Sequence, residues 1–199
     1  VAGVVLTAQG HGVVALPNSA YLVGSSKFSR NSAIRAGALT WAPPVTGRVG
    51  VVSEANSLVG GQDLDVVGTS LSVTVLANGN AVATSEFWDD GSLNDVGAAT
   101  FIDQNAGPTG PISALNSLIG TNSGDAVGFG GAVALANGNY LVRAVGWLNG
   151  SATNEGSVTL GSGLSGTDGG APVSRGRAVP GNQRSLLPLP EQIRLLWKG

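Results

Sequence analysis

The residues best placed to do chemistry are four on one short stretch: Asp89, Asp90, Asn94 and Asp95. Oxygen ligands gathered on a loop are what a hard cation such as Ca²⁺ requires. An ion that shapes a repeat should recur in each repeat, yet the equivalent places carry Ser29, Arg30, Ile34 and Arg35 earlier and Leu148, Asn149, Asn154 and Glu155 later. The favoured reading is therefore a solvated loop whose side chains bond their own backbone, with a weak cation site as the alternative. Ca²⁺ is the one cofactor to consider, and it is not favoured.

Other chemical signals are thinner. His11 is the single histidine, so no histidine pair can hold zinc. A Ser-His-Asp triad could use it only once, and no G-x-S-x-G turn supplies a nucleophile. Gly161-Ser162-Gly163-Leu164-Ser165-Gly166 fits the dinucleotide pattern G-x-G-x-x-G. That mechanism needs a helix to follow, and Thr167-Asp168-Gly169-Gly170-Ala171-Pro172 cannot start one cleanly. It reads as a loop. Phe28, Trp88 and Trp147 recur at one place and are candidate ligand contacts, since aromatic faces suit sugar rings. Packing of one unit on the next is the commoner use of such a series.

These residues are positioned by a unit written three times. Leu76-Ala77-Asn78-Gly79-Asn80-Ala81-Val82 returns as Leu135-Ala136-Asn137-Gly138-Asn139-Tyr140-Leu141, with a worn copy at Leu16-Pro17-Asn18-Ser19-Ala20-Tyr21-Leu22. The offsets are 76 − 16 = 60 and 135 − 76 = 59. Such a period marks a repeat architecture, and three similar units seldom share one unique active site. The units run roughly 1–61, 62–121 and 122–180, with a Pro/Leu-containing tail at 181–199 that could hold a short helix from Glu191 to Lys198.

Each unit offers four strand-like segments. The first ends in the Asn-Gly turn, a strong hairpin signal because both residues tolerate positive φ. The second starts at Tyr21, Ala81 or Tyr140 and leads to the recurring aromatic. The third is Gly37 to Trp41, Gly97 to Phe101 and Gly156 to Leu160. The fourth is Asn56 to Gly60 and Asn116 to Gly120, decayed to Gly176 to Val179 in the last unit. The expectation is an all-β, β-propeller-like array of three four-stranded antiparallel blades, partial or open, because propellers close with four to eight blades. A β-solenoid is the structural rival.

Composition agrees. Charged residues are 11%, well below the roughly 25% of an average globular chain, and glycines number 32. Short apolar runs between glycines read as strands joined by tight turns. The net charge of −2 gives no basic stripe, which argues against nucleic acid. No apolar run reaches the length of a membrane-spanning helix. Cysteine is absent, so disulfides and thiolate metal sites are excluded. The chain opens on Val1, which reads as a processed chain or a piece of a longer one.

Gly128-Phe129-Gly130-Gly131-Ala132-Val133-Ala134-Leu135, the Asn-Gly turn, Tyr140-Leu141-Val142, Trp147 with Asn149-Gly150, and Gly156-Ser157-Val158-Thr159 together resemble an FG-GAP blade, the repeat of integrin α-chain propellers and bacterial relatives. The Asn-Ser-Leu-Val-Gly and Trp-Asp-Asp-Gly elements resemble repeats of large secreted bacterial surface proteins of the filamentous-haemagglutinin type. The resemblance spans roughly residues 11–180. The family's calcium turn is not matched: Ala77-Asn78-Gly79-Asn80 and Ala136-Asn137-Gly138-Asn139 lack the carboxylates it needs.

The expected function is a non-enzymatic structural or adhesive repeat module of a secreted or surface-attached bacterial protein. The alternative is a carbohydrate-binding module with inter-blade pockets lined by Trp88 and Trp147. Expected partners are the remainder of a longer chain or a second copy completing the propeller, together with a glycan or extracellular matrix ligand.

Overall fold

A computed structural model describes residues 12–69, 72–147 and 156–167. The expected fourth segment of unit three, the tail at 181–199 and His11 lie outside these residues. The described residues form twelve strands in three sheets, and among them no helix is long and apolar enough to cross a membrane. Unit one holds β1 (Val13–Ala15), β2 (Tyr21–Gly24), β3 (Ala38–Ala42) and β4 (Ser57–Val59). Unit two holds β5 (Val73–Val75), β6 (Ala81–Ser85), β7 (Ala98–Ile102), β8 (Gly110–Pro111) and β9 (Ser117–Ile119). Unit three holds β10 (Val127–Ala134), β11 (Tyr140–Ala144) and β12 (Ser157–Gly161).

Within each unit the strands pair antiparallel in chain order, β8 excepted, and the turn at Asn18, Asn78 or Asn137 joins the first two. In each turn the Asn side chain caps its own loop: Asn18, Asn78 and Asn137 each accept through Oδ1 from the N–H two residues on, at 3.0, 3.2 and 3.1 Å. The following position sits at positive φ in all three copies, Ser19 at 69°, Gly79 at 91° and Gly138 at 86°.

The all-β expectation and its three units hold, and the second sheet is the four-stranded antiparallel sheet expected, but the first sheet requires a correction. The sheets have five, four and three described strands, ordered β1-β2-β3-β4-β8, β5-β6-β7-β9 and β10-β11-β12. The fifth strand of the first sheet comes from unit two: Gly110–Pro111 crosses over and pairs in parallel with β4, Leu58 to Gly110 and Val59 to Pro111. Among the described residues the three sheets stay separate and do not close into a ring, in keeping with the open array expected. The first strand of unit three, expected from Ala132, already begins at Val127 and carries a bulge before Ala132.

The core lies between successive sheets. Leu16, Leu22, Leu39, Trp41 and Leu58 of unit one cluster with Ala81, Ala83, Ala98, Ile102 and Ile119 of unit two. Leu76, Val82, Ala99 and Leu118 of unit two cluster with Tyr140, Val142 and Ala144 of unit three. Neighbours along β6 and β7 thus belong to opposite layers, as the two-residue period of a strand dictates. Sheet two is covered on both faces, which is why β6 is buried at every residue instead of alternating between buried and exposed.

Successive units meet backbone to backbone. After β4 the chain returns beside β3, so that Gly37 bridges Val67 in parallel; Gly97 bridges Val127 in the same way. A Cβ on Gly37 or Gly97 would stand 2.2 or 2.3 Å from the facing Val N, and both glycines have φ above +70°. By contrast, nothing lies within 4 Å of a Cβ on Gly91, whose φ is +60°. Gly91→Ala should cost about 1–2 kcal/mol, the backbone penalty alone. Gly97→Ala adds a backbone clash and should exceed about 3 kcal/mol. Urea unfolding midpoints of the two variants check this, and equal midpoints would contradict the close approach.

Candidate functional site

The acidic stretch does local work. Asp89 Oδ1 accepts the Asp95 N–H at 2.6 Å. In unit one Ser29 Oγ accepts the Arg35 N–H at 3.1 Å, the same bond made by an uncharged side chain. The Asn94 N–H donates to Ser123 Oγ at 3.1 Å, and its counterpart on Ile34 donates to Asp63 Oδ1 at 2.7 Å. Asp90 bridges Leu93 across a tight turn, as Arg30 bridges Ala33. Asp90, Asn94 and Asp95 are exposed and Asp89 is half-buried. Among the described residues no group of three His, Cys, Asp or Glu side chains could hold a metal ion. The loop's shape thus rests on backbone bonds that recur with acidic and non-acidic residues alike.

The carboxylates that matter to the fold are different ones, Asp65 and Asp125, buried to 1% and 0% exposure. Asp65 Oδ2 accepts from the N–H groups of Gly61 and Gln62 at 2.7 and 2.9 Å, turning the chain after β4. Its Oδ1 accepts the Asp89 N–H at 3.1 Å, which fixes the acidic loop of the next unit. Asp125 repeats the turn with Thr121 and Asn122 at 2.8 and 2.9 Å. Burial pushes the Asp65 carboxyl above its ordinary 3.8, its three backbone N–H bonds pulling the other way and the Asp89 charge adding to the rise. A recurring connector aspartate at a spacing of 60 was visible in the sequence; its burial was not.

A second buried network lies beside it. Thr40 and Ser57 hydroxyls bond at 2.7 Å across β3 and β4, and Thr100 and Ser117 do the same across β7 and β9. Ser57 and Ser117 in turn donate to Asn56 and Asn116 Oδ1 at 2.8 and 2.9 Å. The recurring Asn-Ser pair is therefore a hydrogen-bonded support for the strand pairing.

Trp88 corrects the expected sugar pocket. Its ring is 5% exposed and belongs to the core shared by units one and two, so no open pocket is lined by it. Trp147 packs against the core of units two and three, a separate layer, and is half-buried like Phe28. The recurrence has a backbone reason as well: the carbonyls of Phe28, Trp88 and Trp147 accept from Gly37, Gly97 and Gly156, closing the polar loop onto β3, β7 and β12. The Gly161–Gly166 segment is a loop in which Ser162 and Gly166 exchange backbone bonds of 3.1 and 2.9 Å.

Sequence reasoning missed the seam itself. The Gln104 carbonyl of unit two accepts from both Trp41 Nε1 and Asn18 Nδ2 of unit one, at 3.0 and 2.9 Å. The Gly163 carbonyl of unit three accepts from Asn78 and Asn80 of unit two. A Cβ on Gly107 would stand 2.2 Å from Trp41 Cβ, and one on Gly166 would stand 2.7 Å from Phe101 Cβ. Gly47, Gly107 and Gly166 share the repeat spacing, and that was the available signal. Arg48 lies 5.8 Å over the Trp41 ring and donates to its carbonyl.

Two predictions follow from this geometry. Trp88→Ala should cost about 3–5 kcal/mol, the range for deleting a buried aromatic, read by calorimetry; a cost below about 1 kcal/mol would return Trp88 to the surface. Asp65 titrates higher in the folded chain than unfolded, so its contribution to stability is largest below pH 3.8 and falls as pH rises through the folded value. Asp65→Asn lacks this titration and places an N–H against N–H donors. It should be destabilised, with the gap to the native chain narrowing as pH rises through that window.

The repeat geometry has a counterpart among known sequences. No curated protein matches the chain. A family model, described as a repeat of unknown function (DUF5650), matches three times, at residues 15–69, 75–129 and 134–175. Those matches cover well over half of the sequence in three successive copies, and the chain belongs to this repeat family.

Proposed function

We propose that the chain is a non-enzymatic structural or adhesive repeat module of a secreted or surface-attached bacterial protein. The observation that carries this reading is that the seam between units is made twice with the same parts. A carbonyl at position 104 or 163 receives an Asn side chain from the preceding unit, and a glycine at 107 or 166 lets an aromatic residue approach. An interface built from repeat positions can be extended by adding units, which suits a spacer or a display scaffold. Turnover is not part of the reading: both oxygens of Asp65, Oδ2 of Asp125 and Oδ1 of Asp89 are committed to backbone N–H groups.

The expected partners, the remainder of a longer chain or a second copy, keep a place in this proposal. Val158 and Leu160 of unit three are 45% and 55% exposed. Their counterparts one and two units earlier are Ala99 and Leu39, both at 2%, then Phe101, half-buried, and Trp41, at 8%. The face that the next unit covers elsewhere thus remains apolar on unit three. Adhesion would fall to exposed loops and to the half-buried rings of Phe28 and Trp147, toward a glycan or matrix ligand.

A chain carrying residues 62–121 twice in tandem tests the extendable seam. Its unfolding midpoint should rise above that of the native chain, because one more interface is added. A lower midpoint would show the two existing seams to be private to their partners and would remove the module reading. Glycan and matrix arrays test the adhesive arm: binding should fall on Phe28→Ala or Trp147→Ala, and binding to nothing on either array leaves the structural reading alone.

A further inference from the structure

The two Asn-Gly turns at Asn78-Gly79 and Asn137-Gly138 have the same sequence and the same backbone, but different cover. Both glycine N–H groups bond back to a leucine carbonyl, Gly79 to Leu76 at 2.9 Å and Gly138 to Leu135 at 3.0 Å. Both Asn Oδ1 atoms accept from the N–H two residues on. The differences begin beyond the turn. Asn78 Nδ2 donates to the Gly163 carbonyl of unit three. Gln104 Nε2 donates to the Asn78 carbonyl at 2.9 Å, and its amide lies so close over Gly79 that a Cβ there would meet Gln104 Oε1 at 2.5 Å. Gly79 is buried. Asn78 and Asn137 are both exposed, but Gly138 is only half-buried, no described residue accepts from Asn137 Nδ2, and nothing lies within 4 Å of a Cβ on Gly138.

We propose that Asn137 is a site of spontaneous covalent modification, deamidation through a cyclic imide, while Asn78 is protected by Gln104 of its own unit and by the Gly163 carbonyl of the unit that follows. The reaction needs the Gly138 backbone nitrogen to reach Asn137 Cγ. A bond forms between them, the glycine nitrogen gives up its proton, and Nδ2 leaves as ammonia, closing a five-membered succinimide. Water then opens the ring at either carbonyl, giving aspartate or isoaspartate; no redox partner is involved. Glycine favours the attack because no Cβ shields its nitrogen. Asn18 is followed by Ser19 and lacks that advantage.

For either turn the Gly-to-Leu bond must open first, so that cost cancels. At Asn78 the bonds to Gly163 and from Gln104 must open as well. Two hydrogen bonds of ordinary net strength make that opening at least roughly tenfold rarer. Modification also has a consequence that rests on the array reading. Asn18 and Asn78 use Nδ2 to hold the next unit, and the product at position 137 has lost that donor. Deamidation at Asn137 and seating of a further unit there exclude each other.

The test is peptide mapping of the full chain after prolonged incubation at 37 °C and mildly alkaline pH. Cleavage at Glu86 and Arg143 places Asn78, Asn137 and Asn149 on separate peptides, which isolates the Asn149-Gly150 step lying outside the described residues. Asn137 should convert at least roughly tenfold faster than Asn78. Gln104→Ala should then raise the Asn78 rate while leaving Asn137 unchanged, with circular dichroism confirming the fold. Equal rates in the native chain, or a faster Asn78, would overturn the assignment. An unchanged Asn78 rate in the folded Gln104→Ala chain would overturn the protective role of Gln104. These outcomes read local cover and stand apart from the tandem-unit midpoint that tests the module reading.

Discussion

The fold depends on how closely two successive units can approach. Where β3 begins, Gly37 lies against the backbone of the returning connector, and Gly97 repeats the contact one unit later. A side chain at either point would push the connector off the sheet. The connector carries Asp65 or Asp125, whose carboxylate turns the chain. From Asp65 a further bond reaches the Asp89 N–H in the next unit. Close approach, buried carboxylate and loop of the following unit are therefore linked in one direction along the chain. The low charge content follows from the same constraint, since a sheet covered on both faces leaves little surface for charged side chains.

Several buried polar groups are handled the same way in successive units. The Thr40–Ser57 and Thr100–Ser117 hydroxyls pair across their strands, Asp65 and Asp125 Oδ2 meet backbone N–H groups, and the turn asparagines Asn18 and Asn78 close their own loops before reaching across a seam. Each of these groups would be costly to bury without its partner. The sequence can vary where the partner is supplied by either of two chemistries. Ser29 and Asp89 make the same bond, as do Asp63 and Ser123. The acidic stretch at Asp89–Asp95 is in this sense one solution to a loop that elsewhere is built without acids.

Much of the unit was legible from its residues. The Asn-Gly turns and apolar runs located all four expected strands of units one and two, and the second and third of unit three, to within a residue or two, because a hairpin turn and the period of a strand are local properties. The third strand starts one residue late since Gly37 and Gly97 spend their positive φ on the bridge rather than on the ladder. What local pattern could not reveal is what crosses between units. The pairing of Gly110–Pro111 with β4, and the double use of the Gln104 carbonyl, join residues more than fifty positions apart. The aromatic series was visible, but whether Trp88 faces solvent depends on which sheet covers it, a matter of tertiary order alone.

The stitch made by β8 also has a mechanical meaning. Unit two lends a strand to the sheet of unit one, while its Gln104 carbonyl holds that unit at Trp41 and Asn18. A pull that draws the two units apart must break these separated attachments together, so tension is shared between them and is not met one bond at a time. A chain of such units would resist stretching as a sewn seam does, through many short threads each too weak to hold alone.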